Sequence, residues 1–187
     1  IKVLGDSGEG SIDWIISGLE WCMANGIHVA SMSLGSSSGS NEFYEVIKKA
    51  NEKGMILVAA AGNEGAAIDS VGYPASYDEV ISVAAVDIRE KRGSFSSTSK
   101  EVDIAAAGVQ VLSTYPGGKY ANLSGTSMAC PHIAGAVALF QSKSLIRYQR
   151  FLTPSEIRLL LEMYSEDLGA FGRDNEYGFG VFSFDRI

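Results

Sequence analysis

Apolar runs of strand length alternate along the chain with segments whose apolar residues recur every three or four positions, and Gly, Asn or Ser stands at most junctions. Residues 11–24 carry Ile12, Ile15, Ile16, Leu19 and Met23 on one helical stripe that stops at Asn25-Gly26. Residues 42–53 form a second amphipathic helix ending at Gly54. Strands are predicted over 29–34, 55–61 and 80–86, and the last two are apolar nearly throughout, as in strands buried on both faces. A shorter strand over 102–106 follows the Ser-rich stretch 94–99. Residues 109–113 and 120–123 flank Pro116-Gly117-Gly118 and read as a hairpin. A helix over 127–144 is rich in small residues (Ala129, Ala134, Gly135, Ala136, Ala138), which suits close packing on a sheet. The last helix, 153–163, opens on a capping box of Thr153 and Glu156, with Pro154 in the first position. Residues 1–4 read as a strand already under way, so the chain is expected to be the later part of a longer domain. This is βαβ punctuation, and it predicts one α/β domain over residues 1–187: a three-layer sandwich around a mostly parallel sheet.

Composition narrows the classes. At 187 residues, 46 % apolar and 20 % charged, the chain is sized for a single packed core. The 22 acidic against 15 basic residues leave a net charge of −7, which argues against a nucleic-acid partner. No run approaches the ~20 apolar residues of a membrane span, so no membrane partner is expected. Cys22 and Cys130 are too few for a multi-bridge framework and lack metal-ligand spacing.

Three stretches carry candidate chemistry. In Gly125-Thr126-Ser127-Met128-Ala129-Cys130-Pro131-His132, a serine at a helix mouth can be no more than an N-cap. Gly125, however, lets a backbone approach closely, a helix N-terminus favours developing negative charge, and Pro131 is read as falling within the first turn, where it is tolerated. Such a turn offers a hydroxyl and its own N–H to an incoming carbonyl. In Ala59-Ala60-Ala61-Gly62-Asn63-Glu64-Gly65, Asn63 is either a turn residue or an amide donor to an oxyanion at the end of a buried strand. Ser31-Met32-Ser33-Leu34-Gly35 is a third strand end, and the three termini can converge on one crevice.

Together and in this order, these stretches resemble the subtilisin-like serine proteases, from the first residue to about Ala138 and more loosely beyond. The resemblance implies a subtilisin-like fold lacking its N-terminal part, and a serine endopeptidase with Ser127 as nucleophile and Asn63 as oxyanion donor. It further implies that Ser33-Leu34-Gly35 and Gly8-Glu9-Gly10 pair with an extended peptide. Ala60, Ala61, Gly62 and Gly72 then line the pocket for the residue before the scissile bond, with Glu64 at its rim and Thr126 among the substrate-binding set. Ile12, Ile15 and Leu34 line a more distant apolar pocket. Tyr73–Pro74 is implied to be cis. No cofactor is required for the chemistry, and a weak structural site for calcium or a monovalent cation is implied at the carbonyls of Ala75, Tyr77 and Val80.

The departures from the family pattern set further expectations. The family's catalytic Asp and His lie upstream, so a preceding segment of the same domain is an expected partner beside the peptide or protein substrate. The chain by itself is expected to be inactive. His28 and His132 are read as structural or surface residues, and Cys130 as an inert thiol facing away from Ser127. Ser31 stands where many relatives have Asn, and Asn122-Leu123-Ser124 matches a glycosylation sequon by chance within a predicted strand. The acidic charge and the polar stretch 141–151 look more like the intracellular branch, favouring a cytoplasmic location. A non-catalytic peptide-binding or regulatory fragment is the alternative. An ester hydrolase ranks last, because Gly-Thr-Ser-Met-Ala departs from Gly-x-Ser-x-Gly.

Overall fold

The computed structural model describes residues 1–67 and 69–186. Among the described residues, four α-helices form where the apolar stripes fall: α1 (Ile12–Ala24), α2 (Asn41–Glu52), α3 (Thr126–Tyr148) and α4 (Pro154–Met163). Ser11, Ser40 and Thr153 cap α1, α2 and α4 by accepting from the backbone N–H of Trp14, Phe43 and Glu156. Each cap satisfies an amide that the helix itself leaves unpaired.

Six strands make one sheet, in the order β1 (Val29–Met32), β2 (Ile56–Ala60), β3 (Val80–Val86), β4 (Ile104–Ala107), β8 (Val181–Phe182) and β7 (Ser165–Glu166). All neighbours are parallel except β7 and β8. Because side chains alternate across a strand, the apolar runs divide between two cores. Met32, Leu57, Ala59, Val80 and Ala84 pack with Leu19 of α1 and with Phe43 and Ile47 of α2. Val58, Ala60, Ile81, Val83 and Ile104 pack with Ile133 and Val137 of α3 and with Ile157 and Leu161 of α4. The three-layer α/β expectation holds.

The hairpin forms from β5 (Val111–Tyr115) and β6 (Lys119–Leu123), with Gly117 and Gly118 both at positive φ in the turn. It starts two residues later than expected, because Gly108 N–H pairs with Val86 O and Gln110 turns the chain through the left-handed region. Residues 1–4 form no strand. They cross α1 at Gly18, where a Cβ would lie 2.7 Å from Val3 Cγ1. The fourth strand begins at Ile104 rather than at 102: Asp103 N–H donates to Ser82 O, but the N–H of Ser82 is taken by the Asp103 carboxylate at 3.0 Å instead of by a backbone carbonyl.

Helix α3 extends four residues past the expected end, to a left-handed Gln149. The polar stretch after it closes a turn: Gln141 exchanges two hydrogen bonds with the backbone of Leu152, and Ser144 donates to Arg150 O. Short strands β7 and β8 lay outside the sequence expectation, as two-residue strands carry no periodicity. A short 3-10 turn, Phe184–Arg186, follows them.

Candidate active site

Three backbone ends meet at the carboxyl edge of the parallel strands, where sheets of this kind place their sites. They are the exits of β1 and β2 and the start of α3. Thr126 is the joint between two of them and is wholly buried. Its Oγ1 accepts from Gly62 N–H at 3.2 Å, and its hydroxyl proton is shared between Gly62 O and Asn63 Oδ1, each 3.2 Å away. Its N–H donates to Asn63 Oδ1 at 3.0 Å. With Oδ1 fixed as the acceptor, the opposite end of the amide, Nδ2, is the donor, and the Asn63 side chain is exposed. Ser127 is half-buried in the turn after Gly125, which makes no side-chain cap to the helix amides.

Ser127 and Asn63 line a crevice of about 490 Å³. One wall is the extended segment 33–36, and the other is the segment 8–10 with Leu4, Ile12 and Ile15. The crevice therefore gathers most of the anticipated peptide-facing residues from separate parts of the chain. The loop at 8–10 is a tight turn: Gly5 N–H pairs with Glu9 O, and a Cβ on Gly10 would lie 2.7 Å from Val3 O.

A second recess of about 370 Å³ lies beside the first, between residues 35–37 and 70–72, with Glu64 and Asp69 also on its lining. Its walls are held by reciprocal backbone bonds between Ser36 and Tyr73, and by Gly72 N–H donating to Ala61 O. Of the four residues expected to line this pocket, Gly72 forms part of its wall, while Ala60 and Ala61 are buried and Gly62 is half-buried, off its lining. Glu64 is steered by Ser97, whose hydroxyl donates to Oε2 at 2.7 Å. The Tyr73–Pro74 bond is cis.

Thr126, anticipated among the residues that touch substrate, has no exposed surface, so it acts on the site by holding Asn63 and Gly62. Pro131 is the sixth residue of α3, past the first turn in which the sequence placed it. The Cys130 thiol is fully buried, 3.5 Å from Ser31 Oγ and 3.5 Å from Val58 O, and burial pushes its pKa up, as expected of an inert thiol. Neither imidazole is hydrogen-bonded to Ser127: His132 Nδ1 contacts Met128 O at 2.8 Å, and His28 stacks on Phe151 with centroids 3.7 Å apart.

Two of the three carbonyls expected around a cation already accept hydrogen bonds. Arg158 donates to Val80 O at 2.8 Å and to Asp78 O at 2.7 Å, and Tyr77 O accepts Val80 N–H. Ala75 itself is buried. A guanidinium thus brings positive charge to the place where the cation was expected. The same guanidinium pairs with Asp103 at 2.8 Å, which Arg173 also reaches at 3.0 Å. Among the described residues there is no cluster of three or more His, Cys, Asp or Glu suited to a metal.

The model of the subtilase family matches residues 1–180. The chain belongs to that family. It is 47 % identical to subtilisin DY of Bacillus licheniformis over 171 residues, covering 90 % of this chain and 61 % of that protein. It is 44 % identical to an intracellular serine protease of Paenibacillus polymyxa over 160 residues, 84 % of this chain and 49 % of that one. The crystal structure of a lanthipeptide protease superimposes with a TM-score of 0.89 at 26 % identity, over 97 % of this chain and 66 % of that one. The chain therefore spans about half to two thirds of the length of these proteins.

Sequence reasoning reached the ends of the three segments and missed what joins them. Ser33 Oγ donates to Ser127 O at 2.8 Å, and Arg158 braces α4 against β3. Ser33 was legible only as part of a strand exit. The signal for its second part was Pro131, whose missing N–H leaves one helix carbonyl in need of a donor.

Proposed function

We propose that this chain carries the nucleophile and the oxyanion donors of a serine endopeptidase. One observation carries the reading: Asn63, locked by Thr126 N–H, turns its donor end out beside Ser127, at a helix start whose cap leaves the Ser127 N–H free for a ligand. In this reading an extended peptide lies between residues 33–35 and 8–10, pairing with their backbones as an added strand. Ser127 Oγ attacks the scissile carbonyl carbon while a base takes its proton. The carbonyl oxygen, now negative, receives hydrogen bonds from Asn63 Nδ2 and Ser127 N–H. The tetrahedral adduct collapses with expulsion of the amine, which takes the proton back, and water then hydrolyses the acyl-enzyme by the same steps. Glu64 at the rim of the second recess gives a modest, salt-screened preference for Lys, Arg or polar residues before the cleaved bond at low salt.

The base and its orienting carboxylate come, in this reading, from the length of the relatives that these residues do not span. The open side of β1 supports the same partner. β1 is the terminal strand of the sheet, and a groove of about 410 Å³ beside it is lined by Val3, Ile15, Leu19, Cys22 and Val29. Ile1, Trp14 and Trp21 are 71 %, 55 % and 51 % exposed nearby. An unpaired strand edge flanked by apolar side chains is suited to another strand.

The test is fluorophosphonate labelling and peptide hydrolysis by the protein with its preceding segment, by its Ser127→Ala variant, and by residues 1–187 alone. Labelling of the longer protein that vanishes on Ser127→Ala, with none by 1–187 alone, is the expected result. A longer protein that binds peptide without being labelled instead supports the non-catalytic peptide-binding reading. Robust labelling of 1–187, free of co-purified fragments, overturns the assignment of the base.

A further inference from the structure

In an α-helix each carbonyl accepts from the N–H four residues ahead. For Ser127 that residue is Pro131, which has no N–H and whose ring crowds the carbonyl it faces. The carbonyl of the candidate nucleophile is thus the one in this turn that the helix cannot satisfy. The hydroxyl of Ser33, 94 positions earlier at the exit of β1, donates to it at 2.8 Å.

The first turn of α3 is therefore held from two sides. Thr126 ties it to the exit of β2 through Gly62 and Asn63, and Ser33 ties it to the exit of β1. The second tie runs from the segment read here as pairing with a peptide directly to the residue read as attacking it. Ser33 is exposed and lines the same crevice as Ser127, so its hydroxyl contributes little to the core.

We propose that Ser33 is a positioning residue for Ser127: its hydroxyl replaces the helical donor that Pro131 lacks and fixes the Ser127 backbone, and with it Oγ, relative to the bound peptide. The proposal rests on the reading of Ser127 as nucleophile. Loss of the bond leaves that carbonyl to water and loosens the turn on the β1 side, while the backbone that pairs with substrate is unchanged. The deficit therefore falls on the chemical step.

The experiment uses the protein with its preceding segment. Fluorophosphonate labelling of the unaltered protein, abolished by Ser127→Ala, tests the underlying reading. If the unaltered protein is not labelled, that reading fails and this proposal with it. Given labelling, Ser33→Ala is expected to lower kcat and the labelling rate about tenfold, the size of one net hydrogen bond, with KM within about twofold. Ser33→Thr, which keeps the hydroxyl, is expected to retain most of the activity, and Ser33→Cys, a weaker donor, to fall between, so the proposal stays open to test if one variant folds poorly. Pro131→Ala returns a donor to the Ser127 carbonyl, so Ser33→Ala added to it is expected to change kcat by less than about threefold, whatever Pro131→Ala does alone. Unaltered kcat in Ser33→Ala, an equal loss in both backgrounds, or a loss expressed only in KM overturns the proposal while leaving Ser127 as the nucleophile.

Discussion

The starts of α3 and α4 solve the same problem in opposite ways. At α4, Thr153 accepts from Glu156 N–H and Glu156 accepts from Thr153 N–H, so the helix closes its own end with local side chains. Arg150 then adds two contacts to the Glu156 carboxylate. At α3 the cap is Gly125, which has no side chain to offer, and the side-chain bonds that hold the turn come from Gly62, Asn63 and Ser33, tens of residues away. A helix start that serves only stability satisfies its amides from within. One that is to meet a ligand leaves an amide free and is held from outside.

The largest expected difference between the two ends comes from Asn63→Leu. In the active longer protein it should lower kcat by about 10²–10³ with little change in KM, the measured cost of removing one such donor in subtilisin, a member of the same family. Equal losses in kcat and KM would remove Asn63 from the chemical step.

On the α4 side, Asp103→Ala leaves Arg158 and Arg173 without their shared carboxylate, whose side chain is 11 % exposed. A loss of about 3 kcal/mol of stability is expected in denaturant melts, low in the range for broken buried pairs because both guanidinium groups keep some solvent. The rate of Ser127 labelling at temperatures well below unfolding should stay the same.

Gly125→Ser tests the comparison itself. A Cβ there would lie 3.6 Å from Met128 Sδ and 3.7 Å from the Asn63 amide, ordinary contacts, so the side chain fits. Its hydroxyl can then accept from Ser127 or Met128 N–H as an ordinary cap. We expect an unchanged or slightly raised Tm together with a loss of about tenfold in kcat, and unchanged kcat would show that the free amide is not used. Thr153→Ala is the mirror image, costing about 1 kcal/mol of stability with no change in kcat.

The smallest effect is that of pH on α4. Arg150 beside Glu156, aided by Thr153 N–H, lowers the Glu156 pKa from 4.5 to about 2. Because the folded value lies below the unfolded one, this contribution to stability is complete above about pH 4.5 and is lost as pH falls through about 2. Glu156→Gln should flatten the Tm profile slightly across that window, and solvent screening of a pair whose side chains are 53 % and 38 % exposed keeps the difference small. A profile that is parallel in both proteins would show that the pair contributes nothing.

Much of this fold was legible in the chain because it is written within a few residues. The stripe Ile12, Ile15, Ile16, Leu19 dictates a helix, Thr153-Pro154 starts one, and the unbroken apolar run through Leu57, Val58 and Ala59 signals a strand covered on both faces. The expectation failed where a distant partner decides. Residues 1–4 have strand composition but no strand beside them among the described residues, and β8 fits between β4 and β7 because Gly178 lets the chain approach Asp103 closely and Gly180 lets it approach Glu166.

The candidate site divides along the same line. By itself, the sequence determined which residue types stand at the three strand and helix ends, since glycine freedom, helix starts and strand ends are local properties. Only the tertiary structure decided that Thr126 turns inward to orient Asn63, that Ser33 serves the carbonyl Pro131 leaves bare, and that Arg158 donates to Val80 O. Each of these is a hydrogen bond between groups more than 60 residues apart. Its geometry depends on how the sheet and two helix layers pack, and no short-range preference in the chain encodes that.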